Sequence, residues 1–125
     1  MGFLDKYKEH TYALLRIVSG LLFMAHGVQK FFNFPTDFPI PLSPMIMAAG
    51  AIALVGGGLI ALGLFTRPAA FISSGMAAVG YWTVHGKQGL FPISNGGELI
   101  ALYCFVFLFI AANGAGIWSL ERKKA

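Results

Sequence analysis

The chain has 125 residues, 57% of them hydrophobic and 11% charged, with a net charge of +4 and a mean hydropathy of +0.72. A soluble domain carries about 25% charged residues, so the composition excludes an ordinary water-soluble globule. The positive charge gathers at the ends of apolar runs rather than along one folded face, which excludes a nucleic-acid-binding surface.

Four apolar runs follow in chain order, each close to the roughly 20 residues that cross a bilayer as a helix. The first covers about residues 11–32 and carries Arg16 and His26. The mixed-charge head before it and the absence of an A-x-A-like site after it make it a retained span rather than a cleaved signal. "NFPTDFPIPLSP", with Pro35, Pro39, Pro41 and Pro44, breaks the helix. The second run, 45–65, has no charge, and Ala49, Ala53, Gly57 and Ala61 form a small-residue stripe along it. Such stripes let membrane helices approach closely, here within the chain. Thr66 and Pro68 have the spacing of a cap and an early proline, opening the third run, 68–86. It carries a second stripe, Ala70, Ser74 and Ala78, and ends on His85. "FPISNGGE" closes the next loop, and Asn95 and Glu98 have capping-box spacing. The fourth run, 97–115, holds the lone Cys104 and stops at "NGAG".

In lipid every backbone N–H and C=O must bond within its own segment, so these runs are helices. A β-barrel would need alternating apolar and polar residues, which the runs lack. The expectation is one all-α domain over 1–125, an integral membrane four-helix bundle with up-down topology. Lys6, Lys8, Arg16, Arg67, Arg122, Lys123 and Lys124 fall on one side, Lys30 and Lys87 on the other. The positive-inside rule then puts both termini in the cytoplasm of a multi-pass protein of the cell membrane. Trp118 fits the inner interface; Phe31, Phe32, Phe34, Tyr81, Trp82 and Phe91 fit the outer one. Phe105, Phe107 and Phe109 are a candidate lipid-facing stripe for a homo-oligomer or partner contact. The absence of C-x-x-C excludes an internal dithiol exchanger. No phosphate-binding glycine loop follows a strand.

This topology brings polar groups to the outer end from three helices. His26, Gln29 and Lys30 end the first, His85 ends the third, and Asn95 and Glu98 open the fourth. His26 and Lys30 are one turn apart on one face. Polar groups at membrane depth are functional candidates, because burying them there is costly. Each also has a structural reading. Lysines snorkel to headgroups, and Asn95 with Glu98 caps a helix. Arg16 lies apart, toward the inner end, as an anchor to headgroups or to carbonyls near the C-terminal tail.

"LLRIVSGLLFMAHGVQKFF", "GGGLIALGLFTRPAAF", "YWTVHGKQGLFPISNGGELIALY" and "GAGIWSLE" resemble the DoxX family of small bacterial and archaeal membrane proteins. The most specific pieces are His26-Gly27 with Lys30, Thr66-Arg67-Pro68, His85, and Asn95-Gly96-Gly97-Glu98. The resemblance implies a four-helix membrane bundle and a part in redox metabolism, since the family takes its name from subunits of a thiosulfate:quinone oxidoreductase. Its leading implication is a subunit that binds a quinone or quinol as substrate. His26, His85 and Glu98 are then the catalytic candidates. Gln29, Lys30, Asn95, Gly27 and Gly97 are the ligand-binding ones. The alternatives are a non-catalytic anchor for a soluble redox protein, or a carrier of a small molecule or proton. No intrinsic cofactor is expected. His26, His85 and Glu98 could form a metal-ligand set, but Lys30 would repel the cation, so no metal is expected either.

Overall fold

The structure, a computed structural model, describes residues 2–32, 43–86 and 89–121, with only the backbone of Asn95. Lys87, Phe34, the prolines at 35, 39 and 41, and Arg122, Lys123 and Lys124 lie outside the described residues. A short 3-10 turn, Gly2–Tyr7, leads into α1, Lys8–Phe32. Then come α2, Pro44–Leu62, and α3, Thr66–Gly80. The short α4, Pro92–Asn95, precedes α5, Glu98–Asn113. The described residues are all-helical. By length and apolarity, Gly2–Phe32 and Pro44–Leu62 suffice to cross a membrane, and α5 is a shorter apolar helix. The 15-residue α3 continues without a break into a five-residue π segment, Tyr81–His85.

The boundaries shift from the sequence reading for local reasons. At the start of α2, Ser43 accepts the Ile46 N–H at 3.2 Å and Pro44 takes the first turn, where its missing N–H costs nothing. At its end Gly63 turns left-handed at φ 71°, and Leu64 N–H closes onto the Leu59 carbonyl. The helix therefore stops at Leu62, before the expected residue 65. Thr66 is not the cap of α3. Phe65, at φ 49°, holds that position, and the Thr66 N–H donates instead to Glu121 Oε1 at 2.5 Å. A carboxylate from the far end of the chain thus does the work assigned to a local hydroxyl. The stop at "NGAG" stands where expected, with Gly114 at φ 87° after Asn113.

Packing is pairwise: α1 lies on α2, α2 on α3, and α3 on α5, with a lighter contact of α1 on α5. Glycines set the closeness of the first pair. A Cβ on Gly20 would lie 2.7 Å from the Gly57 carbonyl oxygen and from Ala61 N. One on Gly27 would lie 2.6 Å from the Gly50 carbonyl oxygen. Positions fall along α2 as they rise along α1, so the two helices run in opposite directions. Gly57 and Ala61 of the stripe on α2 are thus spent on this contact within the chain. The second stripe behaves alike: Ala70 and Ser74 are buried, and Ser74 Oγ donates to the Cys104 carbonyl of α5 at 2.7 Å.

The core is small residues plus Phe23, Ile60, Tyr103, Phe107 and Ile110. Leu14, Leu21, Leu22, Val55, Phe71, Ile72, Val79, Leu102 and Phe105 point outward, while Arg16, Thr66, Ser73 and Ser74 are buried. That distribution is inverted relative to a water-soluble protein, where such apolar area marks a site of contact with a partner or membrane. The phenylalanine stripe is corrected: Phe107 is fully buried, whereas Phe105 and Phe109 are exposed. Residues two apart on a helix lie on nearly opposite faces, so three of them cannot share one. Tyr81 is corrected too. It is buried beside Trp82 and His85 rather than set in an outer aromatic belt.

Candidate functional site

One end of the molecule is closed by Arg16. Its side chain is wholly buried on α1. Nε donates to the Ile60 carbonyl at 3.0 Å, and Nη2 to the Trp118 carbonyl at 2.6 Å. Nη1 donates to the carbonyls of Ala115 and Ile117. The first oxygen lies in the last turn of α2, at the partly negative end of that helix, and the others line the segment after α5. Tyr12 Oη adds a bond to the Gly114 carbonyl at 2.6 Å. Leu120 N–H and Glu121 N–H donate to the carbonyls of Leu62 and Gly63. Arg67 caps the end of α5 through the carbonyls of Ala111 and Ala112. Of the two anchors open to Arg16 from sequence, the structure selects the carbonyls near the tail.

The other end carries the polar candidates. His26 is half-buried on α1, and its ring stands edge-on to Tyr103 of α5, centroids 6.0 Å apart at 88°. Tyr103 in turn stacks parallel on Phe107 at 5.4 Å and meets Phe23 edge-on at 5.3 Å. Lys30 is half-buried one turn on, and its stem passes the face of Gly50 on α2. Gln29 is half-buried beside it. His85 closes the π segment, which Gly86 N–H completes by donating to the Tyr81 carbonyl at 2.7 Å. Its ring lies 6.5 Å from that of Tyr81, and Nδ1 faces Gly96 at the corner between α4 and α5. A π turn inserts an extra residue into the helix and re-aims the side chains that follow, which is common at functional sites.

The two histidines therefore meet different parts of α5. His85 stands at the corner before it, and His26 stands beside Tyr103. The cap position of α5 differs from the sequence reading. Gly97 is the N-cap of α5 without a side-chain bond, Glu98 is its first residue and exposed, and Asn95 belongs to α4. Gly96, at φ 75°, turns the chain between the two helices and moves the cap two residues along. Gly97 is buried at that start. The room left by Gly27 is taken by the α2 backbone. Among the described residues, no group of three or more His, Cys, Asp or Glu side chains converges to hold a metal.

Sequence reasoning passed over Tyr103. Its hydroxyl is one of four buried side-chain polar atoms that lack a partner among the described residues, with His10 Nδ1, Thr66 Oγ1 and Ser73 Oγ. The available signal was a hydroxyl-bearing ring inside an otherwise apolar run, since a buried Tyr hydroxyl normally finds a partner.

A DoxX family model matches residues 11–86. An uncharacterized protein of Haemophilus influenzae is 45% identical over 98% of this chain and 97% of its own length. An uncharacterized membrane protein of Mycobacterium tuberculosis is 26% identical over 87% of this chain and 78% of its own. No solved structure matches the chain. Family match, near-full-length relative and inverted burial agree: the chain belongs to the DoxX family of membrane proteins.

Proposed function

We propose that this protein is a multi-pass subunit of redox metabolism in the cell membrane that binds a quinone or quinol at its outer end. The four long helices form an up-down bundle, α1 to α3 and α5, with both termini in the cytoplasm. Pairwise register supports this: Gly20 meets Gly57, Phe23 meets Tyr103 and Phe107, and Arg67 meets Ala111. The observation that carries the reading is the asymmetry of the two ends. Backbone carbonyls saturate the cation Arg16 at one end. At the other, His26 stands beside Tyr103 of α5, Lys30 passes Gly50 of α2, and His85 faces the corner before α5.

In this reading His26 and His85 accept and donate the protons of the quinone couple, as imidazole titrates near neutral pH. Glu98 and Asn95 orient or balance them from the α4–α5 corner. Gln29 and Lys30 hydrogen-bond ring carbonyls, and the neighbouring aromatic side chains hold the ring. Gly97 leaves room for a ligand at that corner, while Gly27 serves the helix crossing. The chain supplies no redox centre in this scheme; a soluble oxidoreductase docked at the membrane supplies the electrons.

The test is a quinone-linked assay with decylubiquinone in proteoliposomes. Replacing His26 or His85 by Ala lowers turnover by about 10² to 10⁴, the usual contribution of a placed acid–base group. Replacing Lys87, assigned to snorkelling, changes little. Full activity and affinity in both histidine variants would remove the site. Retention of a soluble oxidoreductase without any quinone binding would establish the anchor reading instead.

A further inference from the structure

We infer that the Tyr103 hydroxyl is a second hydrogen-bonding position for the same ligand, on the ring that packs edge-on against His26. It takes a ring carbonyl or phenolic oxygen. The inference rests on the quinone reading and extends it to a residue on α5.

Tyr103 is 6% exposed, and its hydroxyl has no partner among the described residues. A phenylalanine would fill the same ring position. It would stack on Phe107 and meet Phe23 without burying an unpaired oxygen, which is costly away from water. The hydroxyl therefore has no packing purpose. Phe23, Phe107 and His26 surround the ring. His26 is the polar member and is half-buried, so it marks the side from which a ligand oxygen arrives. Side chains on a helix lean toward its N-terminus. The Tyr103 side chain thus inclines toward Glu98 and the corner that holds His85. A ligand oxygen between the imidazole of His26 and the phenol meets a donor or acceptor on each side. Imidazole and phenol can each donate a hydrogen bond to, or accept one from, a quinone or quinol oxygen. The step is binding alone and transfers no electron.

The experiment compares full-length wild type, Tyr103→Phe and His26→Ala in detergent, titrated with decylubiquinone. Three readouts are taken: dissociation constant, infrared stretch of the quinone carbonyls and thermal midpoint. Tyr103→Phe is expected to weaken binding about tenfold, the scale of one buried neutral hydrogen bond. The downshifted carbonyl stretch of the wild-type complex should return toward that of free quinone. The thermal midpoint should hold or rise, since the change removes a buried hydroxyl without a partner among the described residues. Wild-type affinity and an unchanged stretch in Tyr103→Phe overturn the inference; if His26→Ala still loses binding, the wider reading stands. A lower midpoint with weaker binding but an unchanged stretch assigns Tyr103 to packing and also overturns it. Absence of decylubiquinone binding by wild type overturns both.

Discussion

Arg16 reaches the Ile60 carbonyl oxygen through Nε at 3.0 Å, tying the middle of α1 to the last turn of α2. The same guanidinium bonds three carbonyls of the segment after α5. An unshared positive charge inside a membrane protein is expensive. Here its partners are backbone carbonyls at the end of α2 and in the segment after α5, so hydrogen bonds offset the buried charge and tie the two segments together.

Replacing Arg16 by Met should therefore be the most destabilising single change at this end. It strips the partners from several buried carbonyls, at a cost of about 1–3 kcal/mol for each one left unsatisfied. Arg16→Lys should recover only part of the loss, because an ammonium lacks the planar fork that serves spread-out acceptors. Thermal unfolding in detergent measures both, and an unchanged midpoint in Arg16→Met contradicts the assignment.

Glu121 should act as a remote cap. Glu121→Ala is expected to cost about 1 kcal/mol, as loss of an N-cap acceptor does. Hydrogen exchange at the Thr66 amide should speed up in this variant. Thr66→Val, which removes a buried hydroxyl without a partner among the described residues at nearly constant shape, should hold stability or raise it. Protection at Thr66 unchanged in Glu121→Ala argues that the 2.5 Å contact carries no energy.

The helix crossing of α1 and α2 gives a steric prediction. Gly20→Ala forces a methyl against the backbone of Gly57 and Ala61 and should cost about 1–3 kcal/mol, the usual penalty of overpacking. Gly75→Ala is the control, because its Cβ meets nothing within 4 Å. There the higher helix propensity of Ala should give a gain of up to about 1 kcal/mol. Equal midpoints for the two variants would be the contrary result.

Orientation is open to direct measurement. Reporters fused after Phe38 and after Ala125 should read periplasm and cytoplasm respectively, from the excess of Lys and Arg on the terminal side. A cytoplasmic signal at Phe38 reverses the proposed sidedness and with it the outer location of His26.

The helical class, the family and some helix boundaries were legible in the sequence because each follows from local chemistry. Long apolar runs leave a membrane chain no choice but helices. Gly114 and Pro44 mark their boundaries by backbone geometry alone. The end of α2 was readable only approximately, since "GLF" offers Gly63 as one of several glycines. Of the candidate site, residue types and helix were legible, but facing was not. Sequence could place His26 and His85 near helix ends. It could not show that a π turn would aim His85 at the corner by Gly96, because an added residue in a helix arises from packing. Nor could it show which ring His26 would meet.

By itself, then, the sequence determined what short-range rules reach: apolar length, helix punctuation, the small-residue stripes and the charge bias between loops. Only the tertiary structure decided the long-range partners. It gave the α3 cap to Glu121, 55 residues away, and the Arg16 donors to carbonyls about a hundred residues on. It buried Phe107 while leaving Phe105 exposed, and it set Tyr103 beside His26. The physical reason is common to all four. A buried polar group or ring takes whichever complementary group the packed helices bring within a few ångströms, and separation along the chain does not enter that distance.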